Sequence, residues 1–198
     1  RRADPTCPGF EPVENTHVFI SEATFGLPVF RHPPTDQEID RLMRSVADNP
    51  DRTHCIGAYS LGKAQRVIKH LRMAGHDRPI YIHGSLEKLC EVYEAAGVTL
   101  GELRPATLED RSKAAREAFR GEIVIAPPGA FEGKWAQRFP DPVIGFASGW
   151  MSVKQRAKQR GVELPLVISD HADWDELTDT VREVDPQELW ITYGREDA

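Results

Sequence analysis

Short apolar runs that alternate with helix-patterned segments constrain the fold of this chain more than any other feature. The runs fall at residues 52–60 (with Cys55, Ile56 and Ala58), 79–82 (PIYI), 122–126 (EIVIA), 143–147 (VIGFA) and 164–168 (LPLVI). Each is too short for a core helix, and their β-branched residues suit buried strands. Between them, apolar residues recur at helical spacing. Thr35 opens a T-D-Q-E capping signal for a helix to about Ala47. Gly62 opens a helix that carries Ala64, Val67, Ile68 and Leu71 inward and stops at Gly75. Ser85 caps a third that ends at Gly97, and Thr107 with Asp110 caps a fourth through about Phe119. Strands alternating with helices predict βαβ units with right-handed crossovers, hence an α/β fold with a mostly parallel sheet flanked by helices.

The stretch SDHADWDEL at residues 169–177 follows the last of the five runs. Asp173 and Glu176 form a capping box, and Leu177, Val181 and Val184 continue at helical spacing, so a helix begins near Trp174. His171 therefore occupies the turn between a strand end and a helix start, where open α/β sheets place their chemistry. Asp170 and Asp173 favour its protonated form while a helix amino end opposes it, which suits a proton donor. The rival reading is a histidine that only completes a turn. Residues 18–21 form another strand-like run that delivers Glu22 in the phrase SEATFG, and residues 188–192 (ELWIT) form a last strand.

Four phrases then occur in order: SEATFG, SLGKAQ (residues 60–65), ASGWM (residues 147–151) and SDHADW. Together they resemble the metallo-β-lactamase nucleases that carry the β-CASP insertion. SEATFG resembles that family's acidic motif A, SLGKAQ its Gly-Arg/Lys-x-Gln phrase and SDHADW its Ser-x-His-x-Asp motif B. The Asp-His-Ala-Asp-Trp wording, SGWM and the opening RRADPTCPGFEPV look most like the bacterial ligase-associated DNA exonucleases. The resemblance implies a β-CASP domain at residues 36–149, flanked by partial metallo-β-lactamase segments at 1–35 and 150–198. It also implies a zinc-dependent DNA exonuclease as the parent enzyme, with two zinc ions, a DNA substrate and an association with a DNA ligase pathway.

The 198 residues are 40% hydrophobic with a formal charge of −6, enough for one well-cored domain or two small ones. An acidic balance argues against gripping nucleic acid over a whole face, though a local basic groove fits. No run approaches a membrane span, and the amino end lacks a signal-peptide layout. Three cysteines without a C-x-x-C spacing argue against a disulfide framework or cysteine zinc knuckle. The expectation is a cytoplasmic protein with no membrane association.

None of the seven histidines belongs to an H-x-H-x-D-H phrase, the ligand loop that the resemblance places earlier in the family's chains. The sequence thus reads as the carboxyl-terminal portion of a longer enzyme, without a complete metal site and inactive alone. Within that reading Glu22 orients the metal shell, against the alternative of an exposed carboxylate at a strand end. Ser60, Gly62 and Lys63 sit at a strand-to-helix turn that suits a phosphate, and Ser148 with Gly149 completes an anion-holding loop. Alternatively Gly62 only permits the turn and Lys63 is surface. Trp150 either stacks on a base or fills a junction. The cluster KQRAKQR at residues 154–160 is a solvated helix face unless nucleic acid lies beside it. Tyr193 stands in Thr-Tyr-Gly, where the family commonly has a histidine ligand, and a phenol is a poor replacement for imidazole on zinc.

Two functions follow: a metal-dependent phosphodiesterase acting on DNA ends, or a non-catalytic nucleic-acid-binding module. A ribonuclease is the nearest alternative within the enzyme class.

Overall fold

The computed structural model describes residues 3–107 and 112–194, arranged as an α/β structure with parallel sheets flanked by helices. The strands are β1 (Val18–Glu22), β2 (His54–Gly57), β3 (Ile80–Ile82), β4 (Leu103–Pro105), β5 (Ile123–Ala126), β6 (Val143–Ala147), β7 (Leu164–Leu166) and β8 (Glu188–Tyr193). The helices are α1 (Thr35–Asp48), α2 (Lys63–Met73), α3 (Gly84–Ala95), α4 (Lys113–Glu117), α5 (Pro128–Phe131), α6 (Lys154–Gln159) and α7 (Trp174–Val184). Six strands form one sheet in the order β4-β3-β5-β2-β6-β7, and every pairing in it is parallel.

β2 lies inside this sheet, and all four of its residues are buried. Successive side chains alternate between faces: Cys55 joins Ala106, Phe119, Val124 and Phe139, while Ile56 joins Leu42, Val67, Ile68 and Leu71 of α1 and α2. Coverage of both faces explains why the strands read as continuous apolar runs. Burying one such isoleucine stabilises the fold by roughly 1.5–3 kcal/mol. The two prolines near the sheet's rims, Pro105 in β4 and Pro165 in β7, lie on edge strands, where a missing N–H costs least.

Three helix starts differ from the sequence reading. The T-D-Q-E segment makes no capping box: the Thr35 hydroxyl instead accepts from Arg66 Nη2 at 3.1 Å, and the Glu38 carboxylate accepts from the Val167 amide at 2.7 Å. Tertiary partners have taken both groups away from the helix end. α3 is capped by His83, whose Nδ1 accepts from the Ser85 amide at 3.1 Å, so Ser85 lies within the first turn. α4 is short and capped by Ser112, whose hydroxyl accepts from the Ala115 amide at 3.1 Å; Asp110 lies outside the described residues.

β1 and β8 form a separate two-stranded parallel sheet. Its register pairs Val18 with Glu188 and ends, after an irregularity between Ser21 and Glu22, with Glu22 against Tyr193. β8 is exposed along its length. The larger sheet continues past residue 149, because β7 pairs with β6. Among the described residues no helix is long and apolar enough to cross a membrane.

Candidate functional site

Parallel strands end on a common edge, so the turns after β2, β6 and β7 are brought to one side of the larger sheet. These turns contain residues 60–63, residues 148–149 and residues 169–171. The smaller sheet supplies Glu22 and Tyr193 from the matching ends of β1 and β8.

Glu22 and His171 meet. Oε2 of Glu22 lies 3.4 Å from Nδ1 of His171, and the same oxygen accepts from the Thr24 amide at 2.7 Å. The Glu22 side chain is 29% exposed and that of His171 53%, so the pair faces solvent and is reachable by a substrate. The backbone of His171 is tied at both ends by one hydroxyl, since Ser169 Oγ accepts from the His171 amide at 3.0 Å and donates to its carbonyl at 2.9 Å. Asp173 fixes the other side of the turn. Its Oδ1 caps α7 through the Glu176 amide at 2.9 Å, while its Oδ2 accepts from the His32 amide at 2.9 Å. Trp174 adds an amide bond to the Phe30 carbonyl at 3.0 Å.

Phe25 is the strut behind the pair. It is 1% exposed, and its ring centroid lies 6.2 Å from that of His171, 4.6 Å from that of His32 and 4.9 Å from that of Trp150. Gly149 has a packing role beneath this ring, because a Cβ there would come within 2.5 Å of Phe25 Cζ and 3.0 Å of His32 Cε1. Ser148 is buried, and its hydroxyl accepts from the Trp150 amide at 3.3 Å.

The turn after β2 is built around Gln65, which is fully buried. Its Oε1 accepts from the Gly62 amide at 2.8 Å and its Nε2 donates to the Ser60 carbonyl at 2.9 Å. Gly62 has φ +83°, the left-handed region that favours glycine. Lys63 is neither on the surface nor unpartnered: it is 3% exposed, with Nζ 3.3 Å from Asp170 Oδ2 and 5.1 Å from the Tyr59 ring centroid. One helical turn further, Arg66 reaches three segments. Its guanidinium donates to the Ser169 carbonyl and to Thr35 Oγ1, and its Nε lies 3.6 Å from Asp4 Oδ2. Arg66 also lines a 280 Å³ cavity with His32, Ser169 and His171. Burial pushes the His32 imidazole below its usual range, against the opposing influence of Asp173 and Glu176.

The geometry therefore brings Glu22 and His171 together, with Tyr193 paired in register beside Glu22. Lys63 bonds the turn after β2 to Asp170, directly beside His171. Ser148 and Gly149 support the aromatic cluster from below. Sequence reading named no role for Phe25, Gln65 or Arg66, although SEATFG contains Phe25 and SLGKAQ contains Gln65; it placed Asp170 beside His171 but not in contact with Lys63. Nothing local marks Arg66, whose three contacts come from distant parts of the chain.

Among the described residues no three His, Cys, Asp or Glu side chains form a group able to hold a metal ion. Glu22 and His171 are two donors, and Tyr193 adds only a phenol, so these residues alone do not fit a zinc centre. What they can do is move a proton. With Nδ1 held against a carboxylate, Nε2 of His171 is the nitrogen left to give a proton to an incoming group.

No family model matches this chain. A probable DNA ligase of Opitutus terrae is 29% identical over 190 residues, an alignment that covers 93% of this chain and 18% of that protein. The chain thus spans less than a fifth of its relative's length.

Proposed function

We propose that this chain supplies one side of a phosphodiesterase site acting on DNA ends, within a metallo-β-lactamase/β-CASP architecture. The observation that supports it best is the 3.4 Å approach of Glu22 Oε2 to His171 Nδ1, two residues delivered by separate sheets. In this reading His171 protonates the departing oxygen of the cleaved ester, and Glu22 orients the imidazole. The two zinc ions of such a reaction would be held by ligands other than the described residues. The similarity to a probable DNA ligase supports a role in DNA metabolism, associated with strand joining.

The test is digestion of end-labelled single-stranded DNA, and of matched RNA, by the longest natural form of the protein. Metal-dependent release of nucleotides from DNA, faster than from RNA, supports the proposal. Saturable DNA binding with no cleavage under any divalent metal favours the non-catalytic binding module instead. That rival draws on one observation, the phenol of Tyr193 paired in register with Glu22.

A further inference from the structure

A second cavity, of 470 Å³, opens on the other side of the turn that follows Glu22. Thr24, Phe30, Trp150, Arg156 and Tyr193 line it. Thr24 is the residue whose amide donates to Glu22 Oε2, and the Ala23 amide donates to the Tyr193 carbonyl at 2.5 Å, so one short turn separates the cavity from the Glu22–His171 pair.

The cation at its rim is held in an unusual way. The Arg156 guanidinium lies 3.9 Å from the centroid of the Trp150 ring. Phe25 and Phe30 brace that indole from elsewhere, with centroids at 4.9 and 5.6 Å. Stacking fixes the guanidinium plane but consumes none of its five N–H donors. Among the described residues Arg156 has no ion pair and no side-chain hydrogen bond, and neither do Lys154 and Lys158 of the same helix or Arg160 just after its end, whose guanidinium lies 5.3 Å from the Phe146 ring centroid. Most other arginines of the chain are bound to carboxylates or carbonyls. A protein with a net charge of −6 has therefore left four cations without an ion pair on one short segment, two of them over aromatic rings and one of these, Arg156, beside a cavity of nucleotide size.

We propose that this cavity is a nucleotide subsite for single-stranded DNA. Arg156 binds a backbone phosphate through its free N–H fork, and the exposed faces of Arg156 and Tyr193 take a neighbouring base. A guanidinium fork matches a phosphate's oxygens two at a time, and stacking on a planar cation or phenol tolerates any base. The subsite deepens the reading of Glu22 and His171 as a DNA-end site and rests on it. It places the strand along α6, and the remaining cations of that helix extend the track.

The experiment is fluorescence anisotropy of a short fluorescein-labelled single-stranded oligodeoxynucleotide titrated with the purified chain over a range of salt concentrations. Arg156→Ala should weaken binding at least fivefold and lower the slope of log affinity against log salt by about 0.7, the signature of one lost phosphate contact on a single strand. Arg156→Lys should keep the slope but recover only part of the affinity, because an ammonium neither forks nor stacks as a plane. Arg44→Ala, an exposed arginine on α1, should change neither quantity. Arg156→Ala behaving like Arg44→Ala on a wild-type chain that does bind overturns the subsite and leaves the DNA reading standing. No saturable binding by the wild-type chain at low salt overturns both. Tighter binding of the matched oligoribonucleotide overturns the assignment to DNA.

Discussion

Lys63 Nζ stands 3.3 Å from Asp170 Oδ2, joining the turn after β2 to the loop that carries His171. The lysine is 3% exposed while the Asp170 side chain keeps 30% of its surface in water, so loss of the cation leaves a carboxylate that solvent can partly satisfy. Lys63→Met should cost about 1–3 kcal/mol, below the range for fully buried pairs. The double variant with Asp170→Asn should be less destabilised than the sum of the singles. Urea unfolding of the four proteins measures both effects.

Gly149→Ala tests whether this glycine serves packing. The added methyl meets the Phe25 ring at 2.5 Å, and Phe25 is itself closed in by Phe30, His32 and Trp150. Overpacking of this kind costs on the order of 1–3 kcal/mol. The expected outcome is a lower unfolding midpoint, largely restored by Phe25→Leu in the same chain. A Gly149→Ala protein of wild-type stability would contradict the packing role.

Acid should unfold this protein through its buried histidines. Burial is the largest influence on His54 and lowers its pKa from 6.5; Arg52 adds to this, outweighing the bond from Ser45. His32, His70 and His76 move in the same direction for the same first reason. A folded value below the unfolded one means that the unfolded chain takes up protons first. The corresponding stability is present above about pH 6.5 and is lost as pH falls through the lowered folded values. Thermal midpoints should be flat near pH 7.5 and drop as pH falls below about 6.5. His54→Gln should lower the plateau yet flatten that drop. An unchanged slope in the variant would remove His54 from the account.

How much of this was legible beforehand varies with the range of the interactions. The strands at 55–57, 80–82, 123–126 and 143–147 were legible because burial on both faces writes itself as an uninterrupted apolar run, and the edge strand at 164–166 because Leu164 to Ile168 is apolar throughout. β4 was not, since Leu103–Pro105 is an edge strand with one half-buried residue. Gly75 and Gly97 were read correctly as helix stops, and both have φ near +86° to +89°. The T-D-Q-E box failed because Arg66 and Val167 compete for its side chains, a contest that no local rule can see. For the site, the residue types at strand ends were readable, but the burial of Lys63 and the packing of Gly149 against Phe25 depend on distant segments folding onto them. The resemblance to ordered family phrases named Glu22 and His171, whose side chains approach to 3.4 Å from distant parts of the sequence, a contact no local pattern can show.

Tyr193 offers a further test of the proposed site. It pairs with Glu22 in register and its side chain is 73% exposed, so it can be exchanged with little effect on folding. Tyr193→His should change the unfolding free energy by less than about 1 kcal/mol. In the longest natural form, metal content by atomic absorption should rise if a histidine there completes an ion's shell. Unchanged metal content and activity would end the idea that the phenol impairs this site.

The pairing of Glu22 with His171 is most directly tested by single-turnover cleavage of end-labelled DNA with His171→Gln in the longest natural form, alongside its DNA affinity. A proton donor that acts in the transition state predicts a rate loss of about 100-fold or more with affinity changed less than twofold. Equal losses in rate and affinity, or full activity in the variant, would contradict the role assigned to the imidazole.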